Sequence, residues 1–293
     1  MKPRWLSTTT TTSSTTTIIR RKPVVAHNFL SRGCIPYSKG WAFQAQQLQQ
    51  RRATEDSLLL FEHGPVYTLG RGANEQHLTF YHQLSDEERE RLSRTSRGPG
   101  SARLDRWCSD SDSDSDATPP VLSPTRKVPI YRVERGGQVT FHGPGQLVIY
   151  PIFDLQRAPF RKDLHWLVRQ LEESILRALQ TNYDIEGRRD EINSGVWVGH
   201  DKIAAIGVSA SRWITYHGLA LNVAPDLSYF DTSQILPCGL DGRGVTSIAK
   251  VWEERGERKP PPSVQDVALS IQKSMEVVFG IEIRDYEITN DDR

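Results

Sequence analysis

Two side chains that lie far apart in the sequence could carry chemistry, a cysteine and a lysine. Cys238 lies between Pro237 and Gly239, so we expect its thiol on a loop, where reactive residues concentrate. A cysteine that attacks a carbonyl must be a thiolate, and a nearby cation lowers its pKa. Lys202, which opens an apolar segment, is one candidate cation. A small buried thiol and a solvated lysine are the alternatives.

Two histidines compete with this lysine. His142 lies at the tip of a glycine-rich stretch, and His217 lies in a later apolar segment. Either ring could act as a cation or as a general base beside a thiol. Sequence spacing does not pair any of the three with Cys238, so the choice stays open at this level.

The glycine-rich stretch, residues 135–146, has four glycines and a proline in twelve residues, directly before the most hydrophobic run, 147–153. Glycine lets a backbone approach a bound molecule closely, and a buried strand would hold that backbone still. The stretch has neither a GxxxxGK[ST] nor a GxGxxG pattern, which disfavours a Walker loop and a dinucleotide fold. We interpret it as the wall of a binding site, with a purely structural hairpin as the alternative.

Composition narrows the functional class of the 293-residue chain. The net charge of +1 hides an asymmetry, because no acidic residue precedes Glu55. The protein without its N-terminal segment is therefore more acidic, which argues against general nucleic-acid binding. The cysteines Cys34, Cys108 and Cys238 form no CxxC pair, which disfavours a disulfide framework or a structural zinc site. No apolar run is long enough to cross a bilayer, so no membrane association is expected.

Two segments differ in composition from the rest. Residues 1 to about 33 are basic, rich in Ser and Thr, and acid-free, which is typical of a mitochondrial presequence; a disordered tail is the alternative. Residues 34–293 are then one domain. Within it, residues 85 to about 126 contain the acidic Ser/Asp run 108–116 and are predicted to form a disordered insertion, with a possible helix at 86–94.

Hydrophobic periodicity predicts short strands, mostly joined by hairpins, and a few helices. Helices are expected at 37–52, 162–181 and 263–279. Strands are expected at 58–61, 65–69, 128–133, 138–141, 147–153, 195–198, 202–208 and 214–223, the last interrupted at Gly218. The prediction is an α+β fold with mixed, mainly antiparallel sheets flanked by helices.

Four motifs, in order, carry a family resemblance: RGGQVTFHGPGQLVIYPI, DKIAAIG, HGLALNV and LPCG. Together they resemble the lipoyl(octanoyl) transferases, the octanoyl-carrier-protein:protein transferases of lipoic acid synthesis. The resemblance runs from about Tyr37 to Phe279 and excludes the insertion, which is the main departure. It implies the fold of the biotin and lipoate protein ligases.

The resemblance also implies roles. Cys238 would be the acyl-thioester nucleophile, and Lys202 would lower its pKa and transfer protons. The implied substrate-binding residues are Arg135, Gly136, Gly137, Gln138, Val139, Thr140, Phe141, His142, Ala205, Ile206, Gly207, Gly218, Leu219 and Ala220. No cofactor and no metal are implied.

The implied donor is octanoyl-acyl carrier protein. The implied acceptors are the lipoyl domains of 2-oxoacid dehydrogenases and the glycine cleavage H protein, and we expect a mitochondrial monomer. Three alternatives remain: an ATP-dependent lipoate ligase, a thioester hydrolase that uses Cys238 with His142 or His217, and a non-catalytic module that binds acyl groups or lipoyl domains.

Overall fold

The computed structural model describes residues 22–50, 55–94, 120–236 and 243–286. Its helices are α1 (Tyr37–Gln50), α2 (Asp86–Arg94), α3 (Leu164–Tyr183), α4 (Ile248–Glu254) and α5 (Val264–Phe279). Its strands are β1 (Lys22–Asn28), β2 (Asp56–Phe61), β3 (Val66–Leu69), β4 (Val121–Leu122), β5 (Pro129–Arg132), β6 (Val139–His142), β7 (Gln146–Ile152), β8 (Gly195–Val198), β9 (Asp201–Ser211), β10 (Ile214–Asn222) and β11 (Ile281–Asp285). The predicted α+β class is confirmed.

Two sheets organise these strands. The larger has the order β11-β1-β2-β7-β10-β9-β8, and the smaller has the order β4-β5-β3-β6. In the larger sheet β11, β1 and β2 run parallel, and the remaining pairs are antiparallel. Both sheets are therefore mixed and mainly antiparallel, as the sequence predicted.

Strand β7 lies at the centre of the larger sheet and is buried along its whole length. Because side chains alternate along a strand, it serves two cores. Leu147 and Ile149 pack in the cluster that contains α3 and α5. Val148 and Tyr150 pack on the other face, with Phe43 of α1. The glycine-rich stretch therefore leads into a strand held from both sides.

The hairpin of β9 and β10 has large side chains on one face and small ones on the other. Ile206 and Leu221 join the cluster beneath α3 and α5. By alternation, Ala205 and Gly207 of β9 lie on the opposite face, beside their cross-strand neighbours Ala220 and Gly218. This face of the hairpin is therefore a shallow trough of small residues.

Strand β10 is continuous through Gly218, so the predicted interruption there is wrong.

The predicted N-terminal boundary was placed too late. Strand β1 starts at Lys22 and pairs with both β11 and β2, and Lys22 forms an ion pair with the buried Asp56. Residues 22–33 therefore belong to the folded domain. The basic, acid-free composition that marks residues 1–21 extends into this strand and concealed its alternating apolar pattern. Residues 1–21 lie outside the described ranges.

The folded domain also extends into both ends of the predicted insertion, 85–126. Helix α2 buries Leu92, whose carbonyl oxygen accepts a hydrogen bond of 2.8 Å from Arg132 Nε. At the other end, β4 pairs with β5 and buries Val121. The acidic run and Cys108 fall in residues 95–119, outside the described ranges.

Local capping explains why the long helices begin where they do. Asp163 accepts hydrogen bonds from the first backbone N–H groups of α3, and Ser263 accepts one from Asp266 N at the start of α5. Asp226 similarly caps the short 3₁₀ helix Leu227–Phe230, where its side chain accepts a hydrogen bond from Ser228 N–H. Among the residues that the structure describes, no helix is both long and apolar enough to span a membrane.

Candidate active site

Lys202 is buried, which excludes the solvated lysine considered from the sequence. Its side chain is only 7% exposed. Nζ donates a hydrogen bond of 3.2 Å to the Ser194 carbonyl and lies 4.7 Å from the centre of the Trp197 ring. A carbonyl dipole and an aromatic face both stabilise an ammonium group away from water. This amine is therefore held in a fixed position.

The backbone around Lys202 ties it to the chain that follows the cysteine loop. Lys202 N–H donates to Gly244 O at 3.0 Å, and Thr246 N–H donates to Lys202 O at 3.0 Å. Residues 237–242 lie outside the described ranges, and Cys238 is among them. The position of the chain near that loop is therefore known from the residues that follow it, Gly244 and Thr246, which bond to the backbone of Lys202.

A cavity of about 250 Å³ opens beside Lys202, between β9, β10 and the glycine-rich stretch. It brings together three of the motifs that the sequence singled out. The predicted residues that line it are Arg135, Gly137, Gln138, Val139, Thr140, His142, Lys202, Ala205, Ile206, Gly207, Gly218, Leu219 and Ala220. Most of its floor is backbone and small side chains, which leaves room for an extended apolar ligand.

Two predicted binding residues do not line this cavity. Gly136 instead connects the glycine-rich stretch to β9: its N–H donates to Val208 O at 3.1 Å, and a Cβ on Gly207 would lie 2.7 Å from Gly136 O. Phe141 points into the other core, where its ring stacks on Tyr229 at 4.4 Å. Strand alternation along β6 separates Phe141 from its cavity-lining neighbours.

Arg135 shapes the glycine-rich stretch from inside. Its Nη2 donates to the carbonyl oxygens of Thr68 at 2.7 Å and Gln138 at 2.8 Å, and its Nε donates to Thr68 Oγ1 at 3.2 Å. A guanidinium with several fixed acceptors is a rigid brace. Arg135 therefore fixes the wall of the cavity as well as lining it.

His142 is a neutral, hydrogen-bonded part of this wall. Nδ1 lies 2.7 Å from Gln146 Oε1 and Nε2 lies 3.4 Å from Thr68 Oγ1. Burial lowers the pKa of His142 to about 3. Burial likewise lowers the pKa of His63 to about 4, in the layer behind it. His142 therefore cannot supply the cation that a thiolate needs.

Sequence reasoning missed two tyrosines that line the cavity. Tyr150 comes from β7, and its hydroxyl lies 3.0 Å from His63 Nε2. Tyr37 comes from the start of α1 and stacks on His142 at 6.0 Å. Alternation along β7 could have indicated that Tyr150 shares a face with Val148. Nothing local indicated Tyr37, which reaches the site only through helix packing.

A second, small cavity of about 20 Å³ adjoins the first on the side of the cysteine loop. Lys202 lines both cavities. Arg243, the first described residue after the loop, also lines the small one; it lies 5.1 Å from the Trp197 ring centre and donates to Asp190 Oδ2 at 2.6 Å. The buried amine thus lies between the larger cavity and the flank of the loop.

The polar side chains around the cavity are of the kinds that transfer protons to, or donate hydrogen bonds to, a reacting carbonyl compound. Within the described ranges, no three His, Cys, Asp or Glu side chains are grouped so that they could hold a metal ion. The polar groups that line the cavity include the amine of Lys202, the guanidinium of Arg135, the amide of Gln138, two tyrosine hydroxyls and the imidazole of His142, whose pKa is lowered.

Comparison with known proteins agrees with the motifs. Residues 120–276 match the family described as the lipoyl protein ligase A/B catalytic domain. The chain is 38% identical over 258 residues to an octanoyltransferase of Nostoc sp., covering 87% of this chain and 93% of that protein. It is 38% identical over 259 residues to the chloroplastic octanoyltransferase LIP2p2 of Arabidopsis thaliana, covering 85% and 76%.

Solved structures show the same fold at much lower identity. A lipoate-protein ligase A bound with ATP superposes with a TM-score of 0.58 at 12% identity, over 94% of this chain and 91% of that one. A bipartite lipoate protein ligase from Thermoplasma acidophilum gives 0.54 at 13% identity, over 93% and 89%. Given the matched catalytic domain and these relatives, the chain belongs to the octanoyltransferases of the lipoyl protein ligase A/B family.

Proposed function

We propose that this octanoyltransferase takes an octanoyl group from octanoyl-acyl carrier protein and passes it to a lysine of a lipoyl domain through a thioester on Cys238. This would be the first step of endogenous lipoate synthesis, carried out by a monomer. The acceptors would be the lipoyl domains of 2-oxoacid dehydrogenases and the glycine cleavage H protein. The observation that carries the proposal is the buried amine of Lys202 in the lining of a cavity floored by small residues.

The pairing of Cys238 with Lys202 is supported by the chain that follows the cysteine. Cys238 precedes Gly244 by six residues, and Gly244 is hydrogen-bonded to the backbone of Lys202. Six residues span at most about 20 Å even when fully extended, so the thiol is tethered to the neighbourhood of the amine. A lysine ammonium at such a site stabilises a thiolate and lowers the pKa of the thiol.

The first half-reaction is then a thioester exchange. The Cys238 thiolate attacks the octanoyl carbonyl carbon, and the bond from that carbon to the pantetheine sulfur breaks. The Lys202 ammonium gives a proton to the departing thiolate, which leaves as a thiol. Backbone N–H groups of the glycine-rich stretch or of the loop could steady the oxyanion.

The second half-reaction forms an amide. The ε-amine of the acceptor lysine attacks the carbonyl of the acyl-enzyme, and neutral Lys202 takes the proton that the amine loses. The bond from the acyl carbon to Cys238 breaks, which restores the thiolate and the ammonium. An amide replaces a thioester, which is downhill, so the sequence of steps needs no ATP.

The small residues on the floor of the cavity would hold the acyl chain during both steps. Ala205 and Gly207 on β9, with Ala220 and Gly218 on β10, leave a trough beside Lys202. Close contact along a preformed apolar groove positions the carbonyl for attack.

The fold gives one rival a specific basis, because a lipoate-protein ligase A that superposes on this chain is described as bound with ATP. A ligase makes an acyl-adenylate from a free acid and leaves Cys238 without a role. A single-turnover assay separates the two readings: a purified lipoyl domain is mixed with octanoyl-acyl carrier protein, with and without ATP.

We expect acylation of the lipoyl domain without ATP, and its loss in Cys238→Ser. The exposed Cys34 offers a matched control, since Cys34→Ser should transfer at the wild-type rate. Transfer that survives in Cys238→Ser, or that needs ATP and free octanoate, would refute the transferase mechanism. Release of free octanoate without acylation of the domain would indicate a thioester hydrolase. Retention of octanoyl-acyl carrier protein or the lipoyl domain, with neither transfer nor hydrolysis, would indicate a non-catalytic binding module.

We also propose that residues 1–21 direct the protein to the mitochondrion. Their basic, hydroxyl-rich and acid-free composition supports import, but plastid transit peptides share it, and one relative is described as chloroplastic. A fusion of residues 1–21 to a fluorescent protein would distinguish the two organelles. Diffuse fluorescence would refute both destinations.

A further inference from the structure

Glu172 is a carboxylate that the fold buries and that the mechanism above does not use. It lies near the middle of α3, and its side chain is 0% exposed. Burying a carboxylate costs free energy unless it is paired and hydrogen-bonded. Its Oε2 lies 2.9 Å from Nη1 of Arg169 and 3.3 Å from Nε of Arg189, both of which are partly exposed. The two guanidinium groups therefore face the same oxygen of this carboxylate.

The other oxygen of Glu172, Oε1, holds the backbone at the start of β8. It accepts a hydrogen bond of 3.0 Å from the N–H of Gly195. The carbonyl oxygen of the same peptide group, which belongs to Ser194, accepts the hydrogen bond of 3.2 Å from Lys202 Nζ. The peptide group between Ser194 and Gly195 therefore has a carboxylate at its N–H end and the amine of Lys202 at its carbonyl end.

This peptide group passes so close to β9 that position 195 requires glycine. Gly195 has a φ of +126°, and a Cβ there would lie 2.4 Å from the carbonyl oxygen of Ala204. The same Cβ would lie 3.5 Å from Cε of Lys202. Because a peptide group is planar and trans, an interaction that fixes its N–H also fixes the direction of its carbonyl. The contact with Glu172 therefore helps to determine where the hydrogen-bond acceptor of Lys202 lies.

A charged partner at one end of a peptide group also strengthens the hydrogen bond at its other end. A carboxylate that accepts from the N–H polarises the peptide and increases the negative charge on its carbonyl oxygen, most effectively away from water. That oxygen then holds an ammonium group more firmly. The ring of Trp197, 4.7 Å from Lys202 Nζ, acts in the same direction. Arg243, the other cation beside that ring, donates to Asp190.

We propose that Glu172 is a positioning residue for acyl transfer, which acts on Lys202 through the peptide group between Ser194 and Gly195. The inference rests on the proposed function, in which the ammonium of Lys202 stabilises the Cys238 thiolate. Glu172 belongs to the helix layer and does not line the cavity. Because it does not contact the acyl chain, its loss should lower kcat with little change in KM.

The test measures the reactivity of the Cys238 thiol against pH, with iodoacetamide as the probe and peptide mapping as the readout. In Glu172→Gln an oxygen remains for the N–H of Gly195 but the charge is removed, whereas Glu172→Met removes both. For the wild type we expect the midpoint of the alkylation profile to lie below the ordinary thiol value of about 8.5. We expect it to rise by about half a pH unit in Glu172→Gln and by about one unit in Glu172→Met, equivalent to losing one hydrogen bond.

Octanoyl transfer by the same preparations gives the second readout. By the same equivalence, kcat should fall about threefold in Glu172→Gln and about tenfold in Glu172→Met. Glu173→Gln is the matched charge control, since Glu173 is the next residue of α3, is exposed and also pairs with Arg189. Leu221→Ala controls for lost stability, and the exposed Cys34 is an internal control in every sample. Neither control variant should move the midpoint for Cys238.

A wild-type midpoint below the ordinary value that both Glu172 variants retain would overturn the inference alone. An equal shift in Glu173→Gln, or a loss of stability with unchanged kcat, would also overturn it. Should Glu172→Met fail to fold, the nearly isosteric Glu172→Gln decides. A wild-type midpoint at the ordinary thiol value would refute the proposed pairing of Cys238 with Lys202, and the inference with it, so the two failures are distinguishable.

Discussion

On one face of the β9–β10 hairpin, large aliphatic side chains such as Ile203 and Leu221 pack beneath α3 and α5. On the other face the corresponding positions are glycine or alanine, and a cavity takes the place of packed side chains. The same two strands thus provide a stable core on one side and an acyl groove on the other. Alternation along a strand lets neighbouring residues serve stability and function separately.

The comparison extends to polar groups. Most of the side chains buried beneath α3 and α5 are apolar, although Glu172 and Gln272 are also buried there, whereas the cavity is lined by the buried Lys202, His142 and His217. Buried polar groups cost free energy unless they are hydrogen-bonded. We therefore expect substitutions of apolar residues on the helix face to change stability, and those on the cavity face to change activity or pH dependence.

The largest effect is expected from Lys202→Met, which keeps the apolar stem and removes the amine. We expect acyl transfer to fall at least about a thousandfold, equivalent to about 4 kcal/mol, because both half-reactions use this group. Lys250, half-exposed on neighbouring α4 and near Asp201, provides the control Lys250→Met with near wild-type rates. Comparable rates for the two variants would remove Lys202 from the mechanism.

Leu221→Ala tests the helix-covered face of the hairpin, where we expect a loss of stability and not of activity. Leu221 is fully buried beneath the helices and does not line the cavity. Truncation should lower the free energy of unfolding by about 3 kcal/mol, as is usual for a buried leucine, and leave kcat/KM nearly unchanged below the melting temperature. Urea denaturation and steady-state kinetics on one preparation measure both. An activity loss without a stability loss would invert our assignment of faces.

Ala205→Leu tests the cavity face of the hairpin, where we expect a loss of activity with little change in stability. The added side chain would occupy the trough beside Lys202, so octanoyl transfer should fall about tenfold to a hundredfold while stability changes by less than about 1.5 kcal/mol. Ala210, further along β9 and outside the cavity lining, gives the control Ala210→Leu. Equal losses in both variants would indicate general distortion of the hairpin.

The smallest effect concerns pH. Burial lowers the pKa of His63 to about 4 and that of His142 to about 3, from an ordinary value of 6.5. Between these values the unfolded chain binds protons that the folded protein does not, so the free energy of unfolding falls as pH falls below about 6.5. Well below pH 6.5 the expected slope approaches about 1.4 kcal/mol per pH unit for each histidine.

His63→Gln should make this slope shallower, whatever it does to stability at neutral pH. His165→Gln, at an exposed position on α3, should leave it unchanged. Denaturation curves at several pH values between 4.5 and 7.5 would measure it, the range following from the ordinary histidine pKa of about 6.5. An unchanged slope in His63→Gln would place the acid sensitivity elsewhere.

Local patterns predicted most of the elements correctly. Helix α3 follows from its apolar stripe, the start of α5 follows from Ser263, and the turn at 142–145 follows from its glycines and proline. The predicted hairpin around that turn is wrong, because β6 and β7 belong to different sheets and do not pair with each other. Strand β1 was missed because a basic, acid-free composition extends into it from residues 1–21. The short strand β11 and helix α4 offer too few residues for a periodic pattern.

The site was predicted only in part, because its members meet through tertiary packing. The sequence singled out Lys202 and the glycine-rich stretch, but their convergence on one cavity depends on how β6 of the smaller sheet lies beside β9 and β10 of the larger sheet. Tyr37 carries no local signal of a binding role, and strand alternation indicates only the face on which Tyr150 lies. His217 was considered only as a cation or base beside a thiol, whereas in the structure it is a buried residue of the cavity lining whose Nε2 lies 3.7 Å from Glu134 Oε2.

The central claim is that an octanoyl group is carried by Cys238 while its chain lies along the small-residue face beside Lys202. Intact mass spectrometry of the full protein mixed with octanoyl-acyl carrier protein, followed by peptide mapping, tests it most directly. We predict a mass gain of one octanoyl group, mapped to Cys238, that disappears when a lipoyl domain is added. Acylation of the lipoyl domain with no adduct on the enzyme at any time, or an adduct on another residue, would contradict the account.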